Sequence, residues 1–161
     1  MVVEKYIMNL QTSKKGACNM FSGEQSHQLD AKNRIRIPSQ FKLPENEDLV
    51  FCKGTTQCIY VMPKSAVDKM CEEFYNVSLF DEEAQEAFSE YMSGFYTIEP
   101  DAQGRYLLPQ ALREYAGINK NVITVGVFNR LEIWSEEVKK EKRKQRSFAD
   151  SIKVLRSKVG K

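Results

Sequence analysis

One short pattern occurs twice, and it constrains everything else the chain can be. Asp30-Ala-Lys-Asn-Arg34 returns as Asp101-Ala-Gln-Gly-Arg105, and each arginine is followed four residues later by a proline, Pro38 or Pro109. The aspartates, arginines and prolines all recur at an interval of 71 residues. Downstream, Val50 aligns with Val122 and Ile59-Tyr-Val-Met62 with Leu131-Glu-Ile-Trp134 at an interval of 72, which implies one inserted residue. The chain therefore holds two versions of one small unit.

Each copy predicts the tip of a β-hairpin. The aspartate opens a type I turn, and Asn33 or Gly104 takes the left-handed position that forms a bulge, because these residue types tolerate positive φ. Beyond the turn, Arg34 and Arg36 alternate with Ile35 and Ile37, and Arg105 and Leu107 alternate with Tyr106 and Leu108. Period-two alternation gives a strand with two different faces, so Arg34 and Arg105 leave the tip on the polar one. Four-residue spacing across a turn lets Asp30 and Asp101 hold the turn and orient the guanidinium that follows.

These residues also carry a family resemblance. The stretches 30–38 and 101–109, together with Leu112-Arg-Glu-Tyr-Ala-Gly117, Leu131-Glu-Ile-Trp134 and Met20-Phe-Ser-Gly-Glu24, resemble the MraZ family of bacterial transcriptional regulators with tandem SpoVT/AbrB-like domains. The resemblance spans Met20 to Lys140. It implies swapped-hairpin units of the double-ψ barrel type that interlock as a pseudo-dimer. It further implies a ring-shaped homo-oligomer that binds double-stranded DNA at direct repeats upstream of the division and cell-wall gene cluster.

Taken in order, the chain supports an α+β class. Unit one runs over 24–66. Pro38 suits the first turn of a short helix, Ser39 to Leu43, since its missing N–H has no partner there anyway. Leu49 to Cys52 and Cys58 to Met62 read as strands, giving ββαββ. Over 67–94 the period changes to 3.6: Val67, Met70, Cys71 and Phe74 share one face of a helix starting near Lys64. Ala84, Ala87, Phe88, Tyr91, Met92 and Phe95 do so in a helix starting at Asp81. These are expected to form an antiparallel helical pair, mostly core, with part of the stripe left for a subunit contact. Unit two, 95–138, repeats ββαββ with a better marked helix, Pro109 at its start and Gly117 as its cap. A unit this small cannot bury its own sheet, so two are expected to interlock.

Charge is distributed unevenly. The chain carries a net +2, but 139–161 holds ten Lys or Arg against Glu141 and Asp150, a net +8, which leaves −6 for the rest. That segment reads either as a phosphate-binding arm or as a solvated helix, because Phe148, Ile152 and Leu155 recur at helical spacing. Residues 1–20 read either as an arm or as a start assigned upstream of the true one at Met8 or Met20. They lack the apolar run of a signal peptide, and no stretch is long and apolar enough to span a bilayer, so a cytoplasmic protein without membrane contact is expected, and the family resemblance implies that it is nucleoid-associated.

Catalytic chemistry finds no support. There is no nucleophile paired with a base, no carboxylate pair facing a pocket and no phosphate-cradling glycine loop, so no enzyme is expected. Cys18, Cys52, Cys58 and Cys71 form no Cys-x-x-Cys pair, and His27 is the one histidine, so metal or redox chemistry gives way to packing. No cofactor or small-molecule ligand is implied. For DNA, Arg34, Lys32 and Arg36 from one tip and Arg105 with Gln103 from the other would sit on a protruding two-stranded ribbon that fits the major groove. Gln103 and Leu107 stand where the first copy has Lys32 and Arg36, so the first tip is expected to supply more phosphate contacts. The competing reading is a ring-forming, antitoxin-like interaction module without specific DNA recognition.

Overall fold

The structure is a computed structural model that describes residues 20–159. The expected amino-terminal arm and Cys18 lie outside those residues. The strands are β1 Glu24–Gln28, β2 Arg34–Arg36, β3 Leu49–Lys53, β4 Ile59–Pro63, β5 Phe95–Ile98, β6 Arg105–Leu107, β7 Asn121–Val127 and β8 Arg130–Ser135. The helices are α1 Lys64–Cys71, α2 Glu82–Ser93, α3 Gln110–Ala116, α4 Glu136–Gln145 and α5 Phe148–Lys158, with a 3-10 turn at Glu72–Phe74 after α1. The α+β class is borne out, and the pairing between strands is antiparallel throughout.

One six-stranded sheet runs β1-β7-β8-β4-β3-β5, and β2 pairs with β6 in a separate two-stranded ribbon. Exchanging the two repeats maps β1 onto β5, β7 onto β3 and β8 onto β4, so the order reads the same from either edge. The centre is the β4–β8 pair, where Ile59 faces Ile133. Most of the core comes from this arrangement: Phe51, Ile59, Val61, Leu131 and Ile133 meet Ile35, Leu108 and Leu112 in a single buried cluster. Strand β3 is buried on both faces. Its alternation sends Leu49 and Phe51 into that cluster, and Val50 and Cys52 to a smaller one with Met62 and Val67 beneath α1.

Two expectations are corrected. The first is the hairpin itself: the turns form, but β1 does not pair with β2. β1 lies against β7 of the other repeat, with Glu24 facing Val125 and Gln28 facing Asn121, and β5 lies against β3 in the same manner. A three-residue strand such as β2 has little ladder to offer a neighbour in its own repeat. Across the repeats, Ile35 and Tyr106 face each other in register and Tyr106 tilts onto Phe51 with ring centroids 5.4 Å apart. Burial of apolar side chains thus wins over the local ladder.

The second correction concerns the helix expected over Ser39 to Leu43. That stretch is a turn, closed by the Phe41 N–H donating to the Pro38 carbonyl at 3.0 Å. Pro44 follows too soon: it has no N–H to continue a helix and pushes Leu43 out of the helical region. In the second repeat Pro109 is followed by seven helical residues, and Gly117 caps them with φ +64°. Unit one is accordingly ββ-turn-ββ, and unit two keeps its helix.

The connection starts where the sequence places it. Asp81 caps α2, its carboxylate accepting from the Ala84 N–H at 3.0 Å. Met70 meets Tyr91 and Phe74 meets Phe88, so contacts climb α1 as they descend α2, as an antiparallel pair requires. The stripe is only half covered, however: Val67 packs against the sheet, Phe95 lies outside the helix as the first residue of β5 because α2 ends at Ser93 with Gly94 as its cap, and Ala87, Tyr91 and Met92 stay exposed. The basic segment forms two helices, α4 and α5, separated by the extended Arg146 and by Ser147. Ser147 and Asp150 cap α5 reciprocally, the arrangement that starts a helix at low cost.

Candidate nucleic-acid interface

The turn at 30–34 is built around one carboxylate. Asp30 Oδ1 accepts from the backbone N–H groups of Lys32 at 2.9 Å and Arg34 at 3.0 Å. Asp101 Oδ1 does the same with Gln103 and Arg105, both at 2.9 Å. Asn33 at φ +58° and Gly104 at φ +73° occupy the left-handed position, as their types predict. These hydrogen bonds stabilise the charged carboxylate, so each aspartate is held below its ordinary pKa, chiefly by the N–H of Arg34 or Arg105.

Pairing β2 with β6 brings the two turns side by side, with Arg36 opposite Arg105 and Arg34 opposite Leu107. The second carboxylate oxygens then join both repeats. Arg34 Nε donates to Asp30 Oδ2 at 2.8 Å and its Nη1 to Asp101 Oδ2 at 3.2 Å. Arg105 Nε donates to Asp101 Oδ2 at 2.8 Å, and its Nη1 lies 3.6 Å from Asp30 Oδ2. Each guanidinium is thereby bound to its own turn and to the other. Arg34 and Arg105 have side chains 24% and 27% exposed, so they are held in place without being sealed from solvent.

The quartet is electrically neutral in sum, so the net positive charge of this face comes from its flanks. Lys32 and Arg36 are exposed on the first repeat, whereas the second presents Gln103 and Leu107, the latter 57% exposed. Gln103 also changes the arginine beside it, since its side-chain oxygen accepts from Arg105 Nη2. Arg34 Nη2 has no protein acceptor among the described residues, leaving it a free pair of donors. All five predicted contact residues therefore lie on or beside one ribbon, but on two adjoined turns and not on a protruding hairpin.

Sequence reasoning missed the ion pairs between Arg34 and Asp101 and between Arg105 and Asp30, for which the 71-residue interval was the only available signal. It also missed a brace on the far side of the sheet. Buried Glu132 accepts from Arg130 at 2.9 Å and from the Trp134 indole at 3.0 Å, while Lys139 of α4 stands 4.3 Å over the Trp134 ring. Burial holds the Lys139 ammonium below its usual pKa. This brace fixes α4 to β8.

The remaining polar candidates are structural. His27 shares a 2.8 Å hydrogen bond with Thr124 across the β1–β7 pair, and burial lowers its pKa. Cys52 and Cys58 are buried free thiols pushed up to about 12 by desolvation, far from the thiolate form that binds metals. Among the described residues no group of His, Cys, Asp and Glu could hold a metal ion, and no helix is long and apolar enough to cross a membrane.

The family model described as "MraZ protein, putative antitoxin-like" matches residues 20–89 and 91–149, and each matched segment contains one of the two aspartate–arginine turns. The chain belongs to the MraZ family. Relatives named "Transcriptional regulator MraZ" include that of Finegoldia magna, 41% identical over 73% of this chain and 82% of the relative. That of Clostridium acetobutylicum is 42% identical over 73% and 83%, and that of Clostridium beijerinckii 37% identical over 83% and 94%. The resemblance carried by the doubled motif is thus confirmed, and the MraZ match extends past Lys140 to include α4 and its basic face.

Proposed function

We propose that this chain is a cytoplasmic, nucleoid-associated transcriptional regulator, not an enzyme, and that the β2–β6 ribbon with its two turns is the surface that reads DNA. In this reading 24–66 and 95–138 are two SpoVT/AbrB-like units of the swapped-hairpin, double-ψ type, joined through 67–94. The protein works as a ring-shaped homo-oligomer on promoter direct repeats upstream of the division and cell-wall gene cluster, its own gene included. The observation that carries the reading is the quartet: two guanidiniums held at fixed positions by two carboxylates, on an outward face flanked by Lys32 and Arg36. A preoriented guanidinium loses little entropy when it meets guanine or phosphate, because its geometry is already set. Contacts this shallow gain strength when repeated around one assembly on repeated sites.

The test is a salt series of binding to promoter DNA from upstream of the gene, comparing wild type with Arg34→Ala/Arg105→Ala and with Lys32→Ala/Arg36→Ala. The first pair removes recognition and also leaves two facing carboxylates, so its fold is checked by circular dichroism. The second pair leaves the quartet intact. Expected are loss of specific binding in the first and, in the second, weaker binding with a log–log slope reduced by about 0.9 per lost phosphate contact. Equal binding by all three proteins would transfer DNA contact away from the turns. Absence of binding even in wild type would favour the interaction-module reading.

A further inference from the structure

Two surfaces outside the turns are apolar, exposed and of opposite charge. On α5, Phe148 and Leu155 stand two helical turns apart on one face and are 83% and 67% exposed, and Val159, just past the helix end, is 82% exposed. Arg156 and Lys158 flank this stripe, and Arg146 precedes it; none of the three has an ion-pair partner among the described residues. The connection between the repeats is the opposite case. Its link from α1 to α2 exposes Tyr75, Leu79 and Phe80, the last at 95%, and Met92 lies exposed on α2. Residues 64–93 carry eight Asp or Glu against Lys64 and Lys69, a net −6. Of those, Glu82, Glu83, Glu86 and Glu90 on α2 have no ion-pair partner among the described residues either.

We propose that α5 of one copy docks on the α1–α2 connection of a second copy, its apolar stripe covering Leu79, Phe80 and Met92 and its cations facing the glutamates of α2. Apolar surface that a single chain leaves in water gains by meeting similar surface. Charge complementarity selects the partner, because α5 repels α5 and the acidic connection repels itself. The two surfaces are different, so the contact is head-to-tail, the type that closes into a ring when its rotation permits. The inference rests on the homo-oligomer reading above and names the surfaces that would build it.

Particle mass measured by light scattering after size exclusion tests both levels. Phe148→Ser/Leu155→Ser, whose side chains touch solvent and so leave the fold unchanged, is expected to reduce the oligomer to single chains. Two charge reversals, Glu82→Lys/Glu86→Lys/Glu90→Lys and Arg146→Glu/Arg156→Glu/Lys158→Glu, are each expected to do the same alone. Mixed in equal amounts they are expected to recover association, since each then supplies one unreversed surface and the other supplies its counterpart. If the α5 variants keep the wild-type mass, other surfaces build the assembly and this docking is wrong while the homo-oligomer stands. If wild type itself is a single chain, both fail. If the α5 reversal loses DNA affinity with its mass unchanged, the segment is a phosphate arm and the proposal is overturned.

Discussion

Around Asp30 and around Asp101 the backbone does the same thing: one carboxylate oxygen accepts two N–H groups, a left-handed residue closes the turn, and the arginine folds back onto its own aspartate and reaches the other. What differs is what the turns present outward. The first turn adds Lys32 and Arg36 and leaves Arg34 with free donors, while the second adds Gln103 and Leu107 and caps Arg105. The difference separates two kinds of demand. The aspartates and arginines that tie the two turns together are the same in both repeats, whereas the residues that point to solvent differ, and under the proposed function that difference is where a partner would be read unequally.

The largest expected effect tests the inward side of this comparison. Ile35 and Tyr106 are register partners, yet Ile35 is fully buried and Tyr106 half-buried. Ile35→Ala leaves a cavity at the centre of the ribbon and should lower stability by about 2–5 kcal/mol. Tyr106→Ala should lower it less, since part of the ring is already in water. Urea unfolding checks this through the midpoint with the slope held constant. Equal losses would mean that the repeats share the core evenly and that the inequality is confined to the outer face.

These inward roles were partly legible beforehand. Alternation places Ile35 and Ile37 on one face and Arg34 and Arg36 on the other without any structure, and Asn33, Gly104 and Gly117 declare their left-handed conformations by type. The change of period at Lys64 and the cap at Asp81 are equally local. What stayed hidden is non-local. No property of β1 or β2 says that they pair with β7 and β6 in place of each other, because a period-two pattern specifies a buried face and not the identity of the neighbour. The ion pairs from Arg34 to Asp101 and from Arg105 to Asp30 follow from that exchange and were hidden with it. The missing helix after Pro38 is a local matter: Pro38 suits a helix start, but Pro44, six residues on, stops the stretch before a helix can form.

The outward side gives a middle-sized effect. Lys32→Ala/Arg36→Ala should reduce the magnitude of the salt slope by about 1.8, two phosphates' worth, whereas Gln103→Ala/Leu107→Ala should leave it unchanged. Gln103→Lys/Leu107→Arg, which copies the first turn onto the second, should steepen the slope by a similar amount. Equal losses from the two alanine pairs would end the asymmetry between the turns as an account of binding.

The smallest expected effect tests the part of the comparison in which the repeats are alike. Asp30 and Asp101 are both held below the ordinary carboxylate range, and in both the first cause is the N–H of the arginine four residues on, joined by that arginine's side chain. A carboxylate with a depressed folded-state pKa binds fewer protons folded than unfolded. Its contribution is therefore complete above about pH 4, where the unfolded group is already charged, and is lost as pH falls below that through the folded value. Carbon-13 shifts of the two side-chain carboxyls, followed from pH 6 downward, should show both titrating late and together, since each shares its guanidinium contacts with the other. Asp30→Asn and Asp101→Asn should then remove similar shares of the acid-sensitive stability. A variant that left the acid dependence as in wild type would show that one carboxylate carries the joint alone, and that the matching hydrogen bonds of the two turns hide an inequality on the inside as well.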